Sequence, residues 1–109
     1  MSYMLRMEFI ETWEFSRELQ KEMSDAEYRM LQRFLVRTPD AGAIIPGSRG
    51  LRTLRWGLRG IGKRGGARII YFWKNAAGQI VMLYMYRKSE TANLPLSKLL
   101  SLRSQITDD

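Results

Sequence analysis

ARIIYFWK (residues 67–74) and QIVMLYMYRK (79–88) are separated by only NAAG. Both runs are rich in β-branched, aromatic and long apolar residues, and the gap has room for nothing but a tight turn. The pair predicts an antiparallel hairpin, which needs further strands or helices against it to be stable. Just upstream, LRTLRW (51–56) alternates, so Leu54 and Trp56 point to one side while Thr53 and Arg55 point to the other. That run predicts a preceding strand. On the 67–74 strand, Arg68, Ile70, Phe72 and Lys74 share one face, opposite Ile69, Tyr71 and Trp73. Arg55 and Arg68 are expected on the same open side.

The N-terminal third follows a different period. YMLRMEFI (3–10) predicts a first strand. Thr12 can cap a helix to about Met23, with Trp13, Leu19 and Met23 as its buried stripe and Glu11, Glu14 and Glu18 near its positive end. Ser24 and Glu27 have capping-box spacing and open a second helix over 25–37, with Tyr28, Leu31, Phe34 and Leu35 on one face and Pro39 as its stop. Residues 57–66, GLRGIGKRGG, are expected to form a flexible connection. A last helix is expected over 94–106, with Pro95 near its start and Leu96, Leu99, Leu100 and Ile106 as its apolar stripe. The order β-α-α-β-β-β-α predicts an α+β fold in one domain over residues 1–109. It is a small, mostly antiparallel sheet with the helical hairpin on one face and sparse cover on the other.

Charge narrows the function. All eleven acids lie in residues 1–40 or 90–109, whereas residues 41–89 carry ten Lys or Arg and no acid. The middle is therefore +10, and the flanks together supply −3 of the net +7. A one-signed field over half a small domain attracts polyanions. The chain has no cysteine and no histidine. Disulfides, thiolate zinc sites and cysteine nucleophiles are excluded, and so are the commonest general base and metal ligand. No segment reaches the length of a membrane span, and the N-terminus lacks a signal-like apolar run, so a cytoplasmic protein is expected. GIGKRGG lacks the spacing of a nucleotide-binding P-loop and the helix that follows one.

LRTLRW, then GKRGGARIIYFW, then IVMLYMYRKSE and a leucine-rich terminal helix resemble the RelE/ParE toxin superfamily, and most of all its HigB-type toxins. The likeness runs over nearly the whole chain. It implies a fold like that of small microbial ribonucleases and a ribosome-dependent endoribonuclease that cuts messenger RNA in the ribosomal A site, blocking translation. It also implies a cognate antitoxin, a helix-turn-helix protein of the HigA kind. No metal or organic cofactor and no membrane partner are implied. Arg68 matches the family's arginine that contacts the scissile phosphate, while Arg55 and Lys88 match basic positions on the neighbouring strands. The chain departs from RelE at Thr53, where a lysine is expected, and at Ser89, where RelE has arginine. RelE's late tyrosine has no counterpart near Pro95, and the histidines of other HigB toxins are missing.

Cleavage through a 2′-hydroxyl builds negative charge on phosphorus, which arginine forks and lysine charges stabilise. Lys63, Arg64, Arg68, Tyr86 and Lys88 are the candidate catalytic residues. Without histidine, proton transfer falls to Lys63, Lys88, Tyr86 or a carboxylate from a flank. Arg52, Arg55, Arg59, Lys74 and Arg87 are the candidate RNA-binding cations. Two other readings fit the same features: a ParE-like inhibitor of DNA gyrase, and a non-catalytic nucleic-acid-binding domain.

Overall fold

The computed structural model describes residues 7–58, 62–87, 89–91 and 93–107. The elements are β1 (Glu8–Glu11), α1 (Trp13–Glu22), α2 (Asp25–Arg37), β2 (Ala43–Ile44), β3 (Arg52–Leu58), β4 (Gly62–Lys74), β5 (Gln79–Arg87) and α3 (Leu96–Arg103). They form one five-stranded sheet in the order β1-β5-β4-β3-β2. β1 runs parallel to β5, and every other neighbour is antiparallel. The α+β class and element order agree with the sequence reading, with the two-residue β2 added. The predicted first strand is present over Glu8–Glu11; its first residues lie outside those described. Among the described residues no helix is long and apolar enough to cross a membrane.

Local chemistry sets the helix starts. The Thr12 N–H donates to the Met82 carbonyl at 3.0 Å, and its hydroxyl donates to the Leu83 carbonyl at 2.7 Å. The same hydroxyl accepts the Phe15 N–H at 3.0 Å, so one residue ends β1 and caps α1. The Ser24–Glu27 capping box is closed in both directions, at 2.8 and 3.1 Å. After α2, the buried Tyr71 hydroxyl donates to the Pro39 carbonyl at 2.7 Å and accepts the Gly42 N–H at 2.8 Å. A Cβ at Gly42 would sit 2.8 Å from the Tyr71 ring and 2.9 Å from the Thr53 carbonyl oxygen, so this approach requires glycine.

Both faces of the sheet are packed. Phe15, Met23, Leu31 and Leu35 from the helical hairpin meet Ala67, Ile69, Tyr71, Ile80, Met82 and Met85. On the other face, Leu99, Leu102 and Ile106 of the α3 region cover Ile70, Val81 and Leu83. This face is thus half covered, not sparsely covered as the sequence suggested. Trp13 is not core: at the first helical position it is 77% exposed, and Phe15 takes the buried place. Leu96 and Leu100 are also exposed, because α3 turns Leu102 and Arg103 inward instead. The Arg103 guanidinium donates to the Arg49 carbonyl at 3.0 Å and lies 4.6 Å from the Phe72 ring centre.

The stretch expected to be a flexible connection is largely strand. β3 runs through Gly57 to Leu58, β4 starts at Gly62, and Leu58 pairs with Gly62. A second irregularity matters more. The β4–β5 register steps from Ile70↔Tyr84 to Tyr71↔Met82, leaving Leu83 as the extra residue of a bulge. Strict alternation would put Tyr84 and Tyr86 on the helical-hairpin side with Ile80 and Met82. The bulge moves both tyrosines to the α3 side.

Candidate functional site

Near the segment that leads into α3, three side chains stand in one row across the sheet. Arg55 of β3 is the direct partner of Arg68 on β4, and Arg68 is the direct partner of Tyr86 on β5. At ordinary strand spacing the row spans about 10 Å. The next row toward α3 is Thr53, Ile70 and Tyr84. Strand parity explains the arginines, and the Leu83 bulge explains Tyr86.

The row borders a cleft of about 300 Å³. Ile44, Ile45 and Pro46 form one wall, and Asn93, Leu94 and Leu99 form the other. Thr53, Arg68, Ile70 and Tyr86 make the floor. Among the described residues no acid lines it. Among the described residues Arg68 has no carboxylate partner, so its charge is available to a ligand. Burial pushes the Tyr86 hydroxyl above its ordinary pKa; Arg68 pulls it back down and Tyr84 adds to the rise. Tyr86 therefore stays protonated at neutral pH and faces the cleft as a hydrogen-bond or proton donor. Its ring lies 6.2 Å from that of Tyr84, over which Lys98 Nζ sits at 4.8 Å. Lys98 also pairs with Glu14 at 2.8 Å, linking α3 to α1 around the sheet edge.

The other candidates separate by parity. Arg52, three residues before Arg55, is on the opposite face. Its guanidinium donates to the carbonyls of Gly42 at 2.8 Å and Asp40 at 3.2 Å. Arg87, next to Tyr86, also faces the helical hairpin, where it pairs with Glu22 at 2.7 Å. Its guanidinium pKa is raised, chiefly by the hydrogen bond to Glu22. Both are engaged with carbonyls or a carboxylate of the fold, on the face away from the cleft. Lys74 shares the Arg68 face but lies six residues further along β4, about 20 Å away. Lys63 and Arg64 belong to β4 by backbone, and their side chains lie outside those described. Arg59 and Lys88 lie outside the described residues altogether. Trp56 packs with Phe34, ring centres 5.4 Å apart, and Trp73 joins the same core.

Sequence reasoning missed the walls. Ile44–Pro46 and Asn93–Leu94 are short apolar or polar pieces whose convergence depends on β2 and on the approach to α3. Thr53 was legible, since the LRTLR alternation puts it on the Arg55 face. A second hollow, about 440 Å³ beside Arg29, Arg33 and Arg37 on α2, contains none of the predicted site residues.

No protein-family model matches the chain. Among solved structures, the chain is similar to the E. coli toxin RelE, determined in the free state as a mutant with two arginines changed to alanine. The two share 12% identity and superpose with a TM-score of 0.58, over 89% of this chain and 96% of that one. The chain has the RelE fold. At that identity the likeness concerns the backbone, and the residues on it are this chain's own. On this RelE fold they set two arginines and a protonated tyrosine in line beside a cleft whose described lining holds no acid.

Proposed function

We propose that the chain is the toxin of a toxin–antitoxin pair, a single-domain endoribonuclease that cuts translated messenger RNA on the ribosome. The observation that carries this reading is the Arg55–Arg68–Tyr86 row at the cleft edge. In the reaction the 2′-oxygen attacks the adjacent phosphorus, the bond to the 5′-oxygen breaks, and a 2′,3′-cyclic phosphate and a 5′-hydroxyl result. Charge grows on the non-bridging oxygens, where the Arg68 and Arg55 forks stabilise it. Tyr86, kept neutral by burial, donates toward the phosphate or the leaving 5′-oxygen. Lys63 and Lys88 are the candidates for taking the 2′-hydroxyl proton. The set has no histidine, and the ribosome supplies the alignment that an incomplete acid–base set needs. A cognate antitoxin of the helix-turn-helix, HigA-like kind holds the toxin inactive in the cytoplasm.

The test is expression without the antitoxin, with primer extension on cellular messages. Growth arrest with discrete cuts inside translated frames is expected. Intact messages refute the nuclease reading, and supercoiling defects with intact RNA transfer the fold to the gyrase-inhibitor reading.

A further inference from the structure

Once Arg55, Arg68 and Tyr86 are assigned to a phosphate, part of the cleft remains unused. Its walls are largely apolar, through Ile44, Ile45, Pro46, Leu94 and Leu99, and Ile70 adds an apolar patch to the floor. A phosphate has no use for such walls. Among the described residues the cleft's other polar side chains are Thr53 and Asn93. Thr53 Oγ1 is buried, and no group among the described residues hydrogen-bonds to it. An unpaired buried hydroxyl is costly, so it gains from a ligand that reaches it.

The spacing suits one kind of occupant. Thr53 is two residues from Arg55 on the same face of β3, about 7 Å along the strand. That step corresponds to the reach from a phosphate across its ribose to the base. A nucleobase has flat apolar faces and a polar edge, and unpaired bases are recognised by apolar contact to the faces and hydrogen bonds to the edge. The cleft offers both, beside two cations and with no acid among its described lining residues.

One wall is preorganised. The Ser48 hydroxyl donates to the Ile45 carbonyl at 2.6 Å and accepts the Leu51 N–H at 3.1 Å. Arg103 holds the Arg49 carbonyl of the same loop. Gly47, Arg49 and Gly50 take positive φ to make this tight turn, which presents Ile44–Pro46 without further ordering on binding.

We propose that the cleft is a nucleobase subsite: it receives the base flanking the phosphate held by Arg55 and Arg68, and Thr53, with Asn93 at the rim, selects which base enters. The inference rests on reading the chain as a ribonuclease. It is tested on ribosomes programmed with four messages that differ only in the base beside the cut. The wild-type chain is expected to favour one base by roughly tenfold, the scale of one hydrogen bond, and Thr53→Val to level that preference. The melting temperature of Thr53→Val should be unchanged or higher, because the lost hydroxyl has no protein partner. Thr53→Ser, which keeps the hydroxyl, should retain the wild-type ranking. A Thr53→Val chain with the wild-type ranking, or one that is destabilised, overturns the proposal. A second arm distinguishes the subsite from the activity: binding of a short single-stranded RNA against the same RNA with one base removed. If the wild-type chain cuts nothing, the nuclease reading fails and this arm decides the subsite alone. Roughly tenfold weaker binding of the abasic strand supports the subsite; equal binding overturns it and leaves the cleft to an apolar side chain of a protein partner.

Discussion

Arg68→Ala should move activity and stability in opposite directions. Arg68 faces Arg55 directly across β3 and β4, with no carboxylate partner among the described residues. Like charges directly opposed on neighbouring strands destabilise by about 0.2–1 kcal/mol, less at high salt. Arg68 is half-buried at the open cleft and is not among the buried charged residues, so its removal leaves no enclosed core cavity. The variant should therefore melt at the wild-type temperature or a few degrees above it. Cleavage should fall because a charge-assisted contact made chiefly to the transition state is lost. One such donor is worth roughly 2–4 kcal/mol, or about 30- to 1,000-fold in rate. Arg68→Lys should recover only part of this, since lysine lacks the planar fork. Single-turnover cleavage on programmed ribosomes measures the rate, and thermal melts at low and high salt measure the repulsion. A folded Arg68→Ala that cuts at the wild-type rate refutes the placement of the active site. A variant that melts well below wild type refutes the claim that Arg68 is held for function at the expense of stability.

Tyr86→Phe should keep the fold and lower cleavage by about 10- to 100-fold in the same single-turnover assay, as expected for a lost donor. Tyr71→Phe should leave the Gly42 N–H and the Pro39 carbonyl unpaired and cost about 2–4 kcal/mol, read by urea unfolding; a neutral result means the loop after α2 is held otherwise. Burial raises the pKa of Tyr28, Tyr71 and Tyr86 above the ordinary value of 10.0, so the folded chain keeps protons that the unfolded chain releases. Their contribution is whole below about pH 10 and is lost as pH climbs through the folded pKa values; melting temperatures should stay level to about pH 9 and then drop, less steeply for Tyr71→Phe.

Much of this was legible because it is local. The Ser24–Glu27 box, the β4–β5 hairpin and the common face of Arg55 and Arg68 depend on residues a few positions apart. Arg52 was also legible in principle, since the alternation of β3 sends it to the face opposite Arg55. Arg87 was not, because the Leu83 bulge that brings Tyr86 to the cleft side turns Arg87 to the other. The phase of α3 was not legible, because it is set by a buried arginine that answers a carbonyl and a ring, and an apolar stripe does not report such a residue. The side on which Tyr86 stands was hidden as well. It turns on one extra residue in β5, whose carbonyl is met by Thr12. The walls of the cleft come from segments about 50 residues apart in the chain, and nothing in either one announces the other.

The parallel pairing of β1 with β5 has a consequence for the order of assembly. Glu8 waits for Gln79 and Thr12 for Leu83, a separation of 71 residues. During synthesis, α1 and α2 emerge with Phe15, Leu31 and Leu35 bare, because the strands that bury them come later. Closing so long a loop is slow compared with forming the helices or the β4–β5 hairpin. Between the end of α2 and the end of β4 the nascent chain is thus an amphipathic hairpin without its full sheet, the stage at which its apolar face is most open to misassociation.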